Sequence, residues 1–191
     1  PEGSQVGEPD LVLEMPEPYV HGGDGTEQYQ VFVLPTGLNE ETEISAVEIR
    51  PGNSAIAHHA LVGYTHNINS INQAIALDAA TEDPGYESFG SYGVEVQDDF
   101  FGGWAPGMTT LISPPTIGKI MEANSYLLLQ MHYGESLTEE ADQTSINLFF
   151  ADEPIEREIE NALMSPEHLS VPFYIPANEV VEFHGTMYVP T

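Results

Sequence analysis

Two adjacent histidines, His58 and His59, stand inside the apolar run IAHHALVGY (residues 56–64), and a third, His132, stands inside YLLLQMHY (residues 126–133). Runs of this composition read as buried strands. A buried imidazole without a partner costs on the order of 1–3 kcal/mol, so each ring must be satisfied by something. One metal ion would satisfy all three. An all-imidazole donor set suits copper, zinc, iron or nickel, and spacing alone does not choose among them. Zinc with a bound water would make a hydrolytic or hydratase centre. Copper with nitrogen donors only would make an electron-transfer or oxygenase centre.

Period-2 geometry sets a condition on this proposal. Neighbouring residues of a strand face opposite ways, so His58 and His59 converge only at a β-bulge or a strand end; otherwise only one of them is a ligand. His132 shares its face with Tyr126, Leu128 and Gln130, while Met131 faces the core. His66 is a reserve ligand beyond the pair. His21, in a Gly turn, and His168, in a Pro-Glu loop, read as solvated. His184 reads as the solvent side of an alternating strand, opposite Met187.

The elements that must position these side chains are short and β-rich. Strands are predicted at Leu11–Met15, Tyr29–Leu34, Thr42–Arg50, 55–65, Thr109–Ile112, Ser125–Tyr133, Ser145–Ala151, Val171–Ile175 and Val180–Val189. HGGDGTE (21–27) and Pro51-Gly52-Asn53 are turns. Residues 68–80 are the one plausible helix, and 81–107, rich in Gly, Asp and aromatics, read as a long loop. Short strands with Gly/Pro punctuation argue an all-β fold, a jelly-roll-like antiparallel β-sandwich of about nine or ten strands with long loops. No linker divides the chain, so one domain is expected over 1–191, with 1–9 as a tether.

Composition narrows the chemistry. The chain has 191 residues and no cysteine, which excludes disulfides, zinc ribbons, iron–sulfur clusters and thiol nucleophiles. Acidic residues number 31 against three basic ones, Arg50, Lys119 and Arg157, for a formal net charge of −28. Such a surface repels nucleic acid and anionic lipid, and suits salty water or calcium. No apolar window is long enough for a membrane span, and no membrane insertion is expected. No signal peptide is visible, and a start at Pro1 suggests a processed protein or a piece of a larger one. There is no Gly-x-Ser-x-Gly elbow, phosphate loop or dinucleotide fingerprint. Carboxylates are too abundant for any pair to be singled out as an acid–base couple.

Six stretches then form a pattern: PDLVLEMPEPY (9–19), IRPGNSAIAHHAL (49–61), GGWAPG (102–107), YLLLQMHYG (126–134), NLFFADEPI (147–155) and FYIPANEV (173–180). In this order the chain resembles the copper type II, ascorbate-dependent monooxygenases, the peptidylglycine α-hydroxylating and dopamine β-monooxygenase family. It is closest in character to exported bacterial relatives, often fused behind cytochrome c-like or thioredoxin-like segments. The resemblance implies two successive jelly-roll domains with one copper each. The adjacent pair and the Gln-x-His-Tyr histidine of the first domain match His58, His59 and His132, and that copper relays electrons. The second domain uses a His-x-His pair and a methionine to activate oxygen. No His-x-His occurs here, so the resemblance implies the electron-relay domain alone, with 177–191 leading toward a second domain.

The resulting expectation is a copper-binding electron-transfer domain of a monooxygenase-like protein, with one copper per chain and no hydroxylation by this chain alone. Tyr126, Gln130 and Tyr133 are candidates to orient the rings. A second copper domain or partner chain is expected as partner, a cytochrome c-like protein as electron donor, and a periplasmic or extracellular location. The rival is a non-catalytic acidic β-sandwich module for surface assembly or attachment, with calcium as its ion. A zinc site on the same three histidines is a third reading.

Overall fold

The structure, a computed structural model, describes residues 3–162 and 165–188. Its strands are β1 (Leu11–Glu14), β2 (Tyr19–His21), β3 (Gln28–Pro35), β4 (Thr42–Arg50), β5 (Ala57–Thr65), β6 (Tyr86–Glu87), β7 (Asp98–Trp104), β8 (Ile117–Met121), β9 (Tyr126–Tyr133), β10 (Glu140–Asp142), β11 (Ser145–Phe150) and β12 (Arg157–Glu158). One helix, α1 (Ile68–Asp78), follows β5. Two five-stranded sheets, in the orders β1-β11-β4-β8-β12 and β6-β3-β9-β5-β7, are joined by a small β2/β10 ribbon. All pairings are antiparallel except β8 with β12. The architecture is the all-β sandwich read from the sequence. The excess over nine or ten strands comes from pieces of two or three residues.

Alternation along the central strand β9 builds both sides of its sheet. Leu127, Leu129, Met131 and Tyr133 enter the core between the sheets, where Leu13, Ile44, Ile146 and Leu148 meet them from the other side. Leu128 points outward and packs with Val31, Ala74, Tyr86 and Tyr92. Helix α1 lies over this outer face, buries Ser70, Ile71 and Ala74, and is N-capped by Asn67, whose side chain accepts Asn69 N–H at 2.9 Å. The outer face of β9 therefore holds Leu128, Gln130 and His132 in a row, with α1 covering only part of it. No described helix is long and apolar enough to cross a membrane.

The sequence reading needs correction in several places. The expected loop 81–107 contains β6 and β7. Strand β7, Asp-Asp-Phe-Phe-Gly-Gly-Trp, carries poor strand formers and holds an edge position with β5 as its one ladder partner. Its Gly102 faces the opposite sheet so closely that a Cβ would sit 2.8 Å from Val47 Cγ1. The expected strand Thr109–Ile112 shrinks to one bridge, Ile112 with Ala46. The tether is partly docked, since Gln5 N–H donates to Glu48 Oε1 at 2.7 Å; residues 1 and 2 lie outside the described residues.

The chain divides into two compact units, one running to Ile159 and one from Glu160. The sandwich occupies the first. In the second, the expected strands Val171–Ile175 and Val180–Val189 do not form among the described residues; Val189 lies outside them. There is a single bridge, Leu169 with Gly185, and a short turn of 3-10 helix at Pro166–His168. Pro172 and Pro176 remove ladder donors, and alternation without a partner strand does not make a sheet.

Candidate metal centre

Strand β5 runs in regular register with β9 from Thr65 opposite Tyr126 back to His59 opposite His132, and then skips: Ala57, not His58, is opposite Tyr133. His58 is the extra residue of a β-bulge. Ala57 and Ala60 are both core residues, so the bulge turns His58 out onto the same side as His59. His132 reaches the same point from the next strand. The condition set by period-2 geometry is met by the bulge.

The three Nδ1 atoms form a near-equilateral triangle: His58 to His59 3.2 Å, His58 to His132 3.0 Å, and His59 to His132 3.1 Å. Each Nδ1 is at any moment a donor or an acceptor. Three mutually touching atoms cannot be divided between two kinds without one like pair, so the protein's own protons always leave one contact repulsive. A shared cation removes the conflict. With sides near 3.1 Å, each nitrogen lies about 1.8 Å from the common centre, so a point at the ~2.0–2.1 Å of a metal–imidazole bond lies just off the plane. Among the described residues this is the one group of three or more His, Cys, Asp or Glu side chains close enough to hold an ion. The residues fit a metal.

The second nitrogen of His132 supports this orientation. Nε2 is buried and has no hydrogen-bond partner; the nearest carboxylate oxygen, Glu27 Oε2, is 3.5 Å away. With Nδ1 turned to the triangle, Nε2 carries the proton and faces Glu27. Tyr29, directly across the ladder from His132, stacks on its ring at 4.1 Å and 10°. Phe89 meets Tyr29 edge-on at 4.8 Å. Burial, then the neighbouring His58, holds His59 below the ordinary imidazole range. Burial, then His59 and His58, does the same for His132, against an upward pull from Glu27. Both rings are neutral near pH 7, the form that binds metal.

The side chains expected to orient the rings do other work. Gln130 donates to Ser88 O and Ser91 O, tying down the 88–91 loop. Tyr133 turns into the core and donates to Asp142 Oδ2 at 2.9 Å. Tyr126 sits at the opposite end of β9. The ring neighbours are Tyr29 and Glu27, which sequence reasoning missed because only the register of β3 against β9 places them there.

The other histidines are accounted for separately. His21 is not solvated: it is fully buried, donates through Nε2 to Thr26 O at 3.0 Å and accepts Gly23 N–H on Nδ1 at 3.1 Å. It closes the 21–27 turn from within. His66 is no reserve ligand. It lies beyond the far end of β5 against Tyr64 Oη (3.2 Å), beside a hollow of about 310 Å³ lined also by Phe101, Lys119 and Glu122. His168 Nδ1 accepts from Ser165 N at 3.1 Å, and His184 is exposed.

Comparisons of the chain with protein-family models, with curated proteins and with solved structures find no match.

Proposed function

We propose that this chain is the copper-binding, electron-transfer domain of a monooxygenase-like protein, holding one copper on His58, His59 and His132. The observation that carries the reading is the Nδ1 triangle, a donor arrangement that only a cation satisfies. Copper rather than zinc rests on the resemblance of the six ordered stretches to the copper type II monooxygenases, and on the donor chemistry. Three neutral nitrogens without a carboxylate accommodate both oxidation states of copper.

Copper held there would supply one-electron chemistry, cycling between Cu(I) and Cu(II). The protein's part is to fix the donors. The β5 bulge presents His58 and His59 together, and the β3/β9 ladder holds His132 flat against Tyr29. His58 is exposed, which leaves the centre open for exchange with solvent or a partner. Oxygen activation belongs in this reading to a second copper domain or partner chain. Val171, Phe173, Tyr174, Ile175 and Val180, all exposed apolar side chains, offer that domain a surface to cover. A cytochrome c-like electron donor and an exported location, periplasmic or extracellular, are part of the same proposal.

The rival, an acidic sandwich module that binds calcium, would draw on clustered carboxylates. No such cluster occurs among the described residues. Copper titration followed by electron paramagnetic resonance tests the choice. One tight copper per chain, lost in His132→Ala, is the expected result; unchanged copper binding in that variant would sink the proposal. Zinc displacing copper at equal concentration would transfer the site to zinc.

A further inference from the structure

Two anchors fix the chain on either side of the His58 bulge. On one side is the regular ladder that begins at His59 opposite His132. On the other is the turn 52–57. Asn53 builds that turn, its Oδ1 accepting Ala55 N–H at 3.1 Å and its carbonyl accepting Ala57 N–H at 3.2 Å. Gly134 N–H donates to Ile56 O at 2.8 Å, which ties the turn to the end of β9. Between these anchors β5 holds one residue more than β9, and that residue is His58.

The second anchor converges on one carboxylate. Asp142 is 1% exposed, and its oxygens accept three donors: Asn53 N–H on Oδ1 at 2.7 Å, and Tyr133 Oη and Thr144 Oγ1 on Oδ2 at 2.9 and 2.7 Å. Tyr133 is the residue after His132, and Asn53 opens the turn that leads into His58. Around it, Asn53 Nδ2 donates to Glu140 Oε2 and Ala141 O at 3.0 and 3.1 Å. Gly52 passes so close to Gln143 that a Cβ would meet its backbone at 2.6 Å. Side-chain size is excluded where the turn meets the 140–144 segment, and that segment is where Asp142 sits.

We propose that Asp142 is the positioning residue of the histidine centre: by holding Asn53 and Tyr133 together, it sets the offset between β5 and β9 that forces His58 out beside His59. Without the clamp the turn relaxes, the extra residue is absorbed elsewhere, and His58 leaves the triangle while His59 and His132 stay opposed. The inference rests on the metal reading for its function, not for its geometry.

The test uses the full chain and zinc, measured by competition with a chromophoric chelator well below the melting temperature. Outer-shell changes of this kind typically weaken metal binding about 10–100-fold, and that loss is expected for Asp142→Ala. Asp142→Asn, whose amide oxygen still accepts Asn53 N–H, should recover most of it. The control is Glu48→Gln. Glu48 is equally buried and accepts Gln5 N–H and Asn147 Nδ2, but it lies on the other sheet. It should lower stability and leave zinc affinity within about twofold, because second-shell geometry is untouched. Wild-type affinity in folded Asp142→Ala, or equal weakening in Glu48→Gln, overturns the proposal. If Asp142→Ala does not fold, Asn53→Ala loosens the same turn without entering the core; weaker zinc binding supports the clamp and unchanged binding overturns it. A wild-type chain that binds neither zinc nor copper overturns the metal reading alone. Histidine ring ¹⁵N spectra of the metal-free protein then decide about Asp142: His58 signals that move in Asp142→Ala and not in Glu48→Gln support it, and signals that stay overturn it.

Discussion

A metal centre built from mutually repelling donors should destabilise the protein that carries it, and His132→Phe measures by how much. Phenylalanine keeps a flat ring against Tyr29 and fills nearly the same space as His132, which is 4% exposed. It removes a buried Nε2 without a hydrogen bond and one corner of the Nδ1 triangle. A buried polar atom left unsatisfied costs about 1–3 kcal/mol. The ion pair lost with Glu27 is long and its carboxylate half exposed, so it offsets little of this. Metal-free His132→Phe should therefore be more stable than the wild type by about 1–2 kcal/mol, or roughly 3–6 °C in melting temperature for a unit of this size. With metal the order should reverse. At a free concentration 100-fold above Kd a bound ion adds about 2.7 kcal/mol to the wild type and nothing to the variant. Calorimetric melting in chelator, then in zinc or copper, reads both halves. A variant less stable than the wild type in chelator by about 1 kcal/mol or more would refute the reasoning, because it would mean that His132 is a satisfied core residue like His21.

Two further outcomes follow from the charges. Glu48 is buried, which raises its pKa, yet hydrogen bonds from Gln5, Ser4 and Asn147 and the Arg50 charge together hold it below its ordinary 4.5. A depressed carboxylate stabilises the fold above its unfolded pKa and loses that contribution as pH falls through its folded pKa; Glu48→Gln should be clearly less stable than the wild type at pH 7, with the gap closing below pH 4.5 in denaturant titrations. A gap that widens in acid contradicts the assignment. At a net charge of −28 the chain repels itself, so the metal-free melting temperature should rise steadily with sodium chloride, and a flat or falling dependence would remove self-repulsion as a factor.

The sequence made the long, well-patterned elements plain. Thr42–Arg50 forms over the expected residues, β9 begins one residue later than expected, and the helix ends two residues early. Each carries an apolar period long enough to read without knowing its neighbours. The misreadings share one cause, which is dependence on a partner. Strand β7 has glycines and aspartates that read as loop, and it becomes a strand by pairing with β5. Residues 171–175 alternate like a strand and have no ladder to join. His21 looked solvated because it stands in a run of glycines, but β2 pairs with β10 and folds the turn back over its ring. At the centre itself the donor set was legible from residue type. Its convergence was not, because a bulge is a mismatch between two strands and has no signature in either one alone. Glu27 and Tyr29 were invisible for the same reason.

The contrast between this centre and the rest of the surface bears on how an ion would be selected. Thirty-one carboxylates attract every cation, and none of them belongs to the triangle. A negative field of this size raises the local concentration of calcium, magnesium, zinc and copper alike, and speeds their arrival without distinguishing them. Discrimination then falls to the donors. Hard ions prefer oxygen and have little to gain from three imidazole nitrogens, whereas zinc and copper bind such a set firmly. Separating attraction from recognition in this way predicts how each responds to salt. Added salt should slow metal arrival, since the field is screened over about 8–10 Å, while dissociation, governed by the three Nδ1 bonds, should hardly change.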